Sequence, residues 1–146
     1  MNIDALGRCL HEWGNAELSS MASHMLSTAG GGRSIETWIT PSMGKYLSQK
    51  LKIDTLTIHY EKRYPNSRYR CDICIGDFWI EVKHIWLETQ NKIEERLNRD
   101  IERIAMGGQG VLVVFEIGTM PKWYDGWKVN VGSDVMCIPV EGNNFP

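Results

Sequence analysis

The feature that most constrains the fold is an almost continuous apolar run, Val-Leu-Val-Val-Phe-Glu-Ile, from Val111 to Ile117. A run of this kind suits a β-strand that is buried on both of its faces. The segment before it, residues 88–106, carries apolar residues at helical spacing and ends at Gly107-Gly108. A helix that leads from earlier strands into a buried strand implies a mixed sheet covered by helices, and hence an α/β fold.

The rest of the chain divides into helical and extended segments. Apolar residues at helical spacing predict one broken helix or two short ones in an N-terminal extension, residues 1–30. Ser34 begins another helical piece and a second follows Pro41, before an alternating strand at Leu56–Tyr60. We therefore predict a single domain, 1–146, with an α-β-β-β-α-β core over about 34–118. Residues 119–146 are predicted to form a β-rich tail, with short strands at 127–131 and 135–140.

The most informative segment is an alternating stretch that is interrupted by Gly76-Asp77, a two-residue hairpin signal. In a tight hairpin Ile75 faces Phe78, and the same register places Asp72 opposite Glu81 and Arg70 opposite Lys83. Side chains alternate along a strand, so these four polar residues are expected on one face. Directly opposed residues have Cβ atoms about 5 Å apart.

Two ionised carboxylates at that distance repel by about 3 kcal/mol at an effective dielectric near 20. A divalent cation removes this penalty, and hard oxygen ligands suit Mg²⁺ or Mn²⁺. Such an ion polarises a phosphoryl oxygen and activates water, and Lys83 on the same face can hold that water. The competing interpretation is a solvated strand face with a weak ion pair, which is common for Glu-x-Lys.

Asp72, eight intervening residues and Glu81-Val82-Lys83 resemble the core motif of the PD-(D/E)XK, or restriction-endonuclease-like, nuclease superfamily. The resemblance covers about residues 34–118, including the element order. It implies that Asp72 and Glu81 bind the metal, that the main-chain carbonyl of Val82 completes the shell, and that Lys83 assists water attack. It also implies a further catalytic and metal-binding carboxylate from the first core helix, for which Glu36 fits and Glu12 or Glu17 are substitutes. Cys71 stands where the motif has Pro.

Several residues near the hairpin are candidate contacts for nucleic acid. Between positions 45 and 70 lie seven Lys or Arg residues against two acidic ones, although the net charge of the chain is −2. The candidate phosphate contacts are Lys62, Arg63, Arg68 and Arg70. Trp79 is a candidate for stacking on a base. Gln90 resembles a polar residue that some members of the superfamily use near the scissile phosphate. Asp100 either pairs with a basic side chain or is a surface charge. Trp123, Tyr124 and Trp127 either stack on bases, complete a small core or form a dimer interface.

The sequence thus predicts a metal-dependent nuclease, an endonuclease that uses Mg²⁺ or Mn²⁺, with DNA favoured over RNA as its partner. The alternatives are a catalytically inactive module of the same fold, and a small interaction or immunity protein that binds nucleic acid or a protein. A homodimer would allow one site per chain to cut both strands.

Cys71 and Cys74 form a CxxC, but within a strand they are expected on opposite faces, which disfavours zinc. The apolar runs are too short for a membrane span and no signal peptide is recognised, so a cytoplasmic protein is expected, although an exported toxin would look similar.

Overall fold

The structure, a computed structural model, describes residues 1–142 and 145, with the side chains at positions 32 and 33 left aside. The first half is mainly helical, and a mixed sheet follows. The helices are α1 (Ile3–Trp13), a π-helical turn (Gly14–Leu18), α2 (Ser19–Met25), α3 (Gly31–Lys50), α4 (Ile93–Gly107) and α5 (Lys122–Lys128). The strands are β1 (Ile58–Arg63), β2 (Arg70–Ile75), β3 (Phe78–Ile85), β4 (Gln109–Ile117) and β5 (Val135–Val140).

The five strands form one sheet in which spatial order equals chain order, β1-β2-β3-β4-β5. β1, β2 and β3 pair in antiparallel fashion, whereas β4 is parallel to both β3 and β5. The expected α/β class, with a mixed sheet flanked by helices, is therefore confirmed. β4 is the buried strand expected from its apolar run, since every residue from Val111 to Ile117 is buried.

The sheet separates two apolar clusters. On one face α1, α2 and α3 pack against inward residues of all the strands from β2 to β5, and Trp13 stacks on Trp38 there with ring centroids 5.6 Å apart. On the other face α4 and α5 cover Ile85, Leu112 and Val114. None of the helices in the described part of the chain has the length and apolar character that crossing a membrane requires.

Helix α3 is longer than the sequence suggests. Two helical pieces separated at Pro41 were expected, but a single helix runs through this proline. Proline in a helix interior removes a hydrogen bond and is unfavourable by about 3 kcal/mol. The physical reason for continuity is the buried stripe at every fourth position of α3, namely Ile35, Ile39, Met43 and Leu47.

The expected strand at 127–131 is wrong, because residues 122–128 form α5. Tyr124 and Trp127, three positions apart, both enter the cluster beneath α4, so helical spacing and not alternation decides this segment. Trp123 donates from its indole nitrogen to the carbonyl of Thr89 at 2.8 Å. Of the alternatives for these aromatic residues, completion of a small core is the one observed. The strand expected at 135–140 is confirmed as β5.

Candidate active site

The predicted hairpin register is confirmed where β2 and β3 are paired. Gly76 supplies the positive φ of 60° at the turn, and Ile75 lies opposite Phe78 and Ile73 opposite Ile80. Beyond Ile73 the ladder between the described parts of β2 and β3 stops. There Asp72 Oδ2 accepts a hydrogen bond from the backbone nitrogen of Val82 at 2.8 Å, so a carboxylate fills the gap between the strands.

The expectation that Arg70, Asp72, Glu81 and Lys83 share one face is wrong for β2. Cys71 packs in one buried cluster with Cys74, Trp79 and Tyr64, although simple alternation places Cys71 and Cys74 on opposite faces. The alternation is therefore broken at Asp72, whose side chain lines a cavity with Glu36 and Thr40 of α3.

The distortion involves the neighbouring strand as well. The pairing of β1 with β2 is interrupted between Tyr60–Ile73 and Lys62–Cys71, at the level of Glu61 and Asp72, and Glu61 has a left-handed φ of 56°. A side chain other than glycine in this region costs of order 1–3 kcal/mol. Both strands thus depart from regular geometry at the position of the first candidate ligand.

Glu81, the second candidate ligand, is only 4% exposed. The hydroxyl of Tyr64 donates to Glu81 Oε1 at 2.8 Å. Burial, followed by the nearby charges of Asp72 and Asp100, raises the pKa of Glu81 to about 9. Two carboxyl groups, Asp72 and Glu81, therefore meet where the strands separate, and Glu81 is neutral at pH 7.

Lys83 lies two residues after Glu81 on β3, and its side chain extends towards α4. Its ammonium nitrogen lies 3.7 Å from Asp100 Oδ2, and Arg103 Nη1 lies 3.7 Å from Asp100 Oδ1. Asp100 is 4% exposed, and burial raises its pKa while Lys83 and Arg103 oppose that change. Of the alternatives left open by the sequence, Asp100 pairs with basic side chains and is not a surface charge. Its position on the same helical stripe as Leu97 and Ile104 is the signal that could have identified it.

Glu36 lies on the other side of β3, at the first turns of α3. Its Oε1 is 3.7 Å from His84 Nδ1, which is buried without a hydrogen-bond partner among the described residues. Burial lowers the pKa of His84, and Glu36 opposes that effect. His84 is therefore a buried histidine whose Nδ1 faces the Glu36 carboxylate without forming a hydrogen bond in the described part of the chain.

Glu36 is also the helical carboxylate that approaches the site. It shares a cavity of about 70 Å³ with Asp72, Val82 and Lys83. The substitutes named from the sequence are engaged elsewhere: Glu12 accepts from Tyr46, and Glu17 accepts from Trp13.

The expected nucleic-acid contacts differ in accessibility. Trp79 is 5% exposed, with Tyr64 stacked at a centroid distance of 4.6 Å and the Lys62 ammonium 5.2 Å from its ring centroid. An indole that is covered in this way offers no surface to a base, so the stacking role expected for Trp79 does not fit the structure. Arg63, Arg68 and Arg70 are on the β1–β2 hairpin, where Arg70 is exposed and donates to the carbonyl of Glu61 at 3.2 Å.

Three cavities meet at Lys83. The largest, about 510 Å³, also contains Gln90 and Trp86, and is of the size that holds small organic ligands. A polar cavity of about 140 Å³ lies along α4, and the third is the 70 Å³ space beside Asp72. Lys83 lines all three, so its side chain is accessible from three directions even though it pairs with Asp100.

The oxygen ligands of this region fit a divalent cation by their chemistry. Asp72 and Glu81 are adjacent, and the charge of Asp72 adds to the effect of burial in raising the pKa of Glu81. A cation between them would favour the ionised form of Glu81. Within the described residues, no three His, Cys, Asp or Glu side chains are already grouped as metal ligands. The set therefore requires the carbonyl of Val82, water, or a rotation of exposed Glu36 to be complete.

Comparison with known proteins identifies no relative. No family model matches the sequence, and no characterised protein and no solved structure shows significant similarity to the chain. The geometry defines the site: a pair of carboxyl groups at a gap between strands, with an adjacent lysine that faces three cavities.

Proposed function

We propose that this protein is a metal-dependent nuclease that hydrolyses phosphodiester bonds, with DNA as the favoured substrate. The observation that carries the proposal is the position of Lys83. Its side chain lies at the junction of three cavities, beside the two carboxyl groups that meet between β2 and β3. A cation next to acidic oxygen ligands is the arrangement that phosphoryl-transfer chemistry requires.

The fold proposed with this function is the restriction-endonuclease-like core. The order α3-β1-β2-β3-α4-β4 corresponds to the expected α-β-β-β-α-β, and β4 returns parallel to β3 through α4. In this arrangement the site lies between α3, which carries Glu36, and α4, which carries Asp100. α1, α2, α5 and β5 are additions to that core.

Asp72, Glu81 and the carbonyl of Val82 would hold Mg²⁺ or Mn²⁺, with Glu36 as a further ligand. When bound, the ion supplies Lewis acidity towards a phosphoryl oxygen and lowers the pKa of a bound water. Lys83 positions the attacking water and neutralises charge on the phosphate, and Asp100 holds Lys83 in place. The Val82 nitrogen holds Asp72 by a charge-assisted hydrogen bond.

One observation favours a second candidate, a nucleic-acid-binding module of the same fold without catalysis. Tyr64 donates to Glu81, and both side chains are buried. A neutral Glu81 held in this way is a stable structural element and needs no cation. Under this candidate the basic hairpin still binds nucleic acid, but Mn²⁺ does not bind.

The test is nicking of supercoiled plasmid with Mg²⁺, Mn²⁺ or EDTA, comparing the wild type with Lys83→Met. Methionine keeps an apolar stem and removes the ammonium group. Lys45→Met is the matched control, because Lys45 is an exposed lysine in the second half of α3. We expect metal-dependent nicking by the wild type and the control, and a loss of at least about 100-fold in Lys83→Met.

Circular dichroism and urea unfolding establish that Lys83→Met is folded. Nicking that persists in EDTA, or that is equal in Lys83→Met and the wild type, would refute the proposed site. Absence of nicking together with Mn²⁺-independent DNA binding would favour the non-catalytic module. Sedimentation of the active protein then tests whether a homodimer accounts for double-strand cleavage.

A further inference from the structure

Three arginines form a row on one side of α4. Arg96, Arg99 and Arg103 are spaced by three and four residues, which places them next to one another on a helix. Together with Lys83 and Asp100 they line the polar cavity of about 140 Å³. Four cationic side chains thus surround this space, against one carboxylate.

The partners of these cations within the protein are weak. Arg99 Nη2 lies 3.8 Å from Glu95 Oε2, but both side chains are more than half exposed, and such pairs contribute little. Arg103 pairs with Asp100 at 3.7 Å and lies over the ring of Tyr69 at 4.0 Å. Arg96 makes no ion pair in the described part of the chain. The arginine row therefore has positive charge in excess of what its neighbours compensate.

Asp100 cannot balance this excess by itself. It is shared between Lys83 and Arg103, and its Oδ2 is buried without a hydrogen-bond partner among the described residues. Like charges that line one small cavity repel each other unless an anion enters. Guanidinium groups present paired donors that match the oxygens of a phosphate group.

We propose that Arg96, Arg99 and Arg103 bind a backbone phosphate of a nucleic-acid strand, adjacent to the phosphate that reaches Lys83. This inference rests on the proposed function, because it takes the same polymer as ligand. The volume of the polar cavity, about 140 Å³, equals that of a few water molecules, which suits a phosphate group and not a nucleoside. The neighbouring cavity of about 510 Å³ shares Lys83 and Arg96 with it and is large enough for a nucleoside.

The strand accordingly crosses Lys83 with one nucleoside in the large cavity and the next phosphate on the arginine row. Phosphate contacts of this kind fix the position of a strand without reading its sequence. We therefore assign α4 a positioning role: it aligns the scissile phosphate with Lys83.

The test measures equilibrium binding of a short fluorescent single-stranded oligodeoxynucleotide in EDTA, over a series of salt concentrations. Wild type is compared with the double variant Arg96→Gln and Arg99→Gln. The matched control, Arg8→Gln and Lys50→Gln, removes the same charge near Cys9, away from α4. We expect about tenfold or greater loss of affinity in the α4 variant only. Its log–log salt dependence should flatten by up to about 0.7, because the arginine row neutralises one phosphate and each neutralised phosphate of a single strand contributes about 0.7 to the slope.

Cleavage of the same oligonucleotide with Mn²⁺ separates this inference from the proposed function. If the α4 variant binds more weakly than the wild type and the wild type does not cleave, the phosphate site is supported and the nuclease is refuted. If the wild type cleaves and the α4 variant binds as tightly as the control, the phosphate site is refuted and the nuclease proposal stands. Stronger competition by an acidic peptide than by oligonucleotide would overturn the inference in favour of a protein ligand.

Discussion

Glu81→Gln is expected to stabilise the protein at neutral pH. Glutamine has nearly the same shape as a protonated glutamic acid, and its side-chain oxygen can accept the hydrogen bond from Tyr64. The wild-type residue has a pKa of about 9 in the folded protein, because it is buried beside Asp72 and Asp100, against an ordinary value of 4.5. Between these two values the unfolded chain ionises and the folded chain does not, so ionisation favours unfolding.

The sign and size of the effect follow from this difference. The stability that Glu81 contributes is fully present below pH 4.5 and is lost as the pH rises towards 9. At 1.36 kcal/mol per pKa unit, the interval from 4.5 to pH 7 corresponds to about 3 kcal/mol. Glutamine does not ionise, so Glu81→Gln should exceed the wild type in free energy of unfolding by about 3 kcal/mol at pH 7 and by almost nothing at pH 4.

The assay is urea unfolding in EDTA from pH 4 to pH 8, followed by tryptophan fluorescence and circular dichroism. Glu95→Gln is the control, since the Glu95 side chain is 82% exposed and its removal should change stability by less than about 0.5 kcal/mol at any pH. A stability difference between Glu81→Gln and wild type that is absent at pH 7, or constant from pH 4 to pH 8, would refute the reasoning. Glu81 would then be ionised or solvated in the folded protein.

Two further predictions concern the ligands and the packing of the site. Calorimetry with Mn²⁺ should show binding by the wild type, loss of binding in Asp72→Asn and a smaller loss in Glu36→Gln. The two variants should differ because Glu36 is exposed and Asp72 lies in the gap between strands. Equal affinity for Mn²⁺ in all three proteins would contradict the ligand set. Gly107→Ala should lower the free energy of unfolding by about 1–3 kcal/mol, since a Cβ there would lie 2.5 Å from the Trp79 ring. Gly126→Ala in α5, where a Cβ meets nothing within 4 Å, is the control and should be neutral or stabilising.

Local sequence rules predicted the paired part of the hairpin well. The Gly76-Asp77 turn and the alternation of Phe78, Ile80 and Val82 fix the register, because a shift by one residue would expose the apolar side. The buried strand β4 and the helix before it are predicted by a signal of the same kind, a continuous apolar run preceded by apolar residues at helical spacing.

The break in β2 could not be predicted from the same rules. Alternation assumes regular pleating, whereas a left-handed Glu61 and the bond from Val82 to Asp72 change the direction of side chains locally. Such distortions depend on tertiary contacts that leave no periodic signal. A linear count of charges likewise does not show that three arginines share one side of α4.

The limited pairing of β2 with β3 has a consequence for motion. β2 is paired to β3 only along Ile73–Ile75, whereas β3 is paired to β4 along Phe78–Ile85. The β1–β2 hairpin is therefore held by fewer backbone hydrogen bonds than the rest of the sheet and should open as a separate cooperative unit. Asp72 belongs to that unit and Glu81 to the stable one. A ligand that binds both would join the two units, and amide hydrogen exchange in β1 and β2 would slow when it binds.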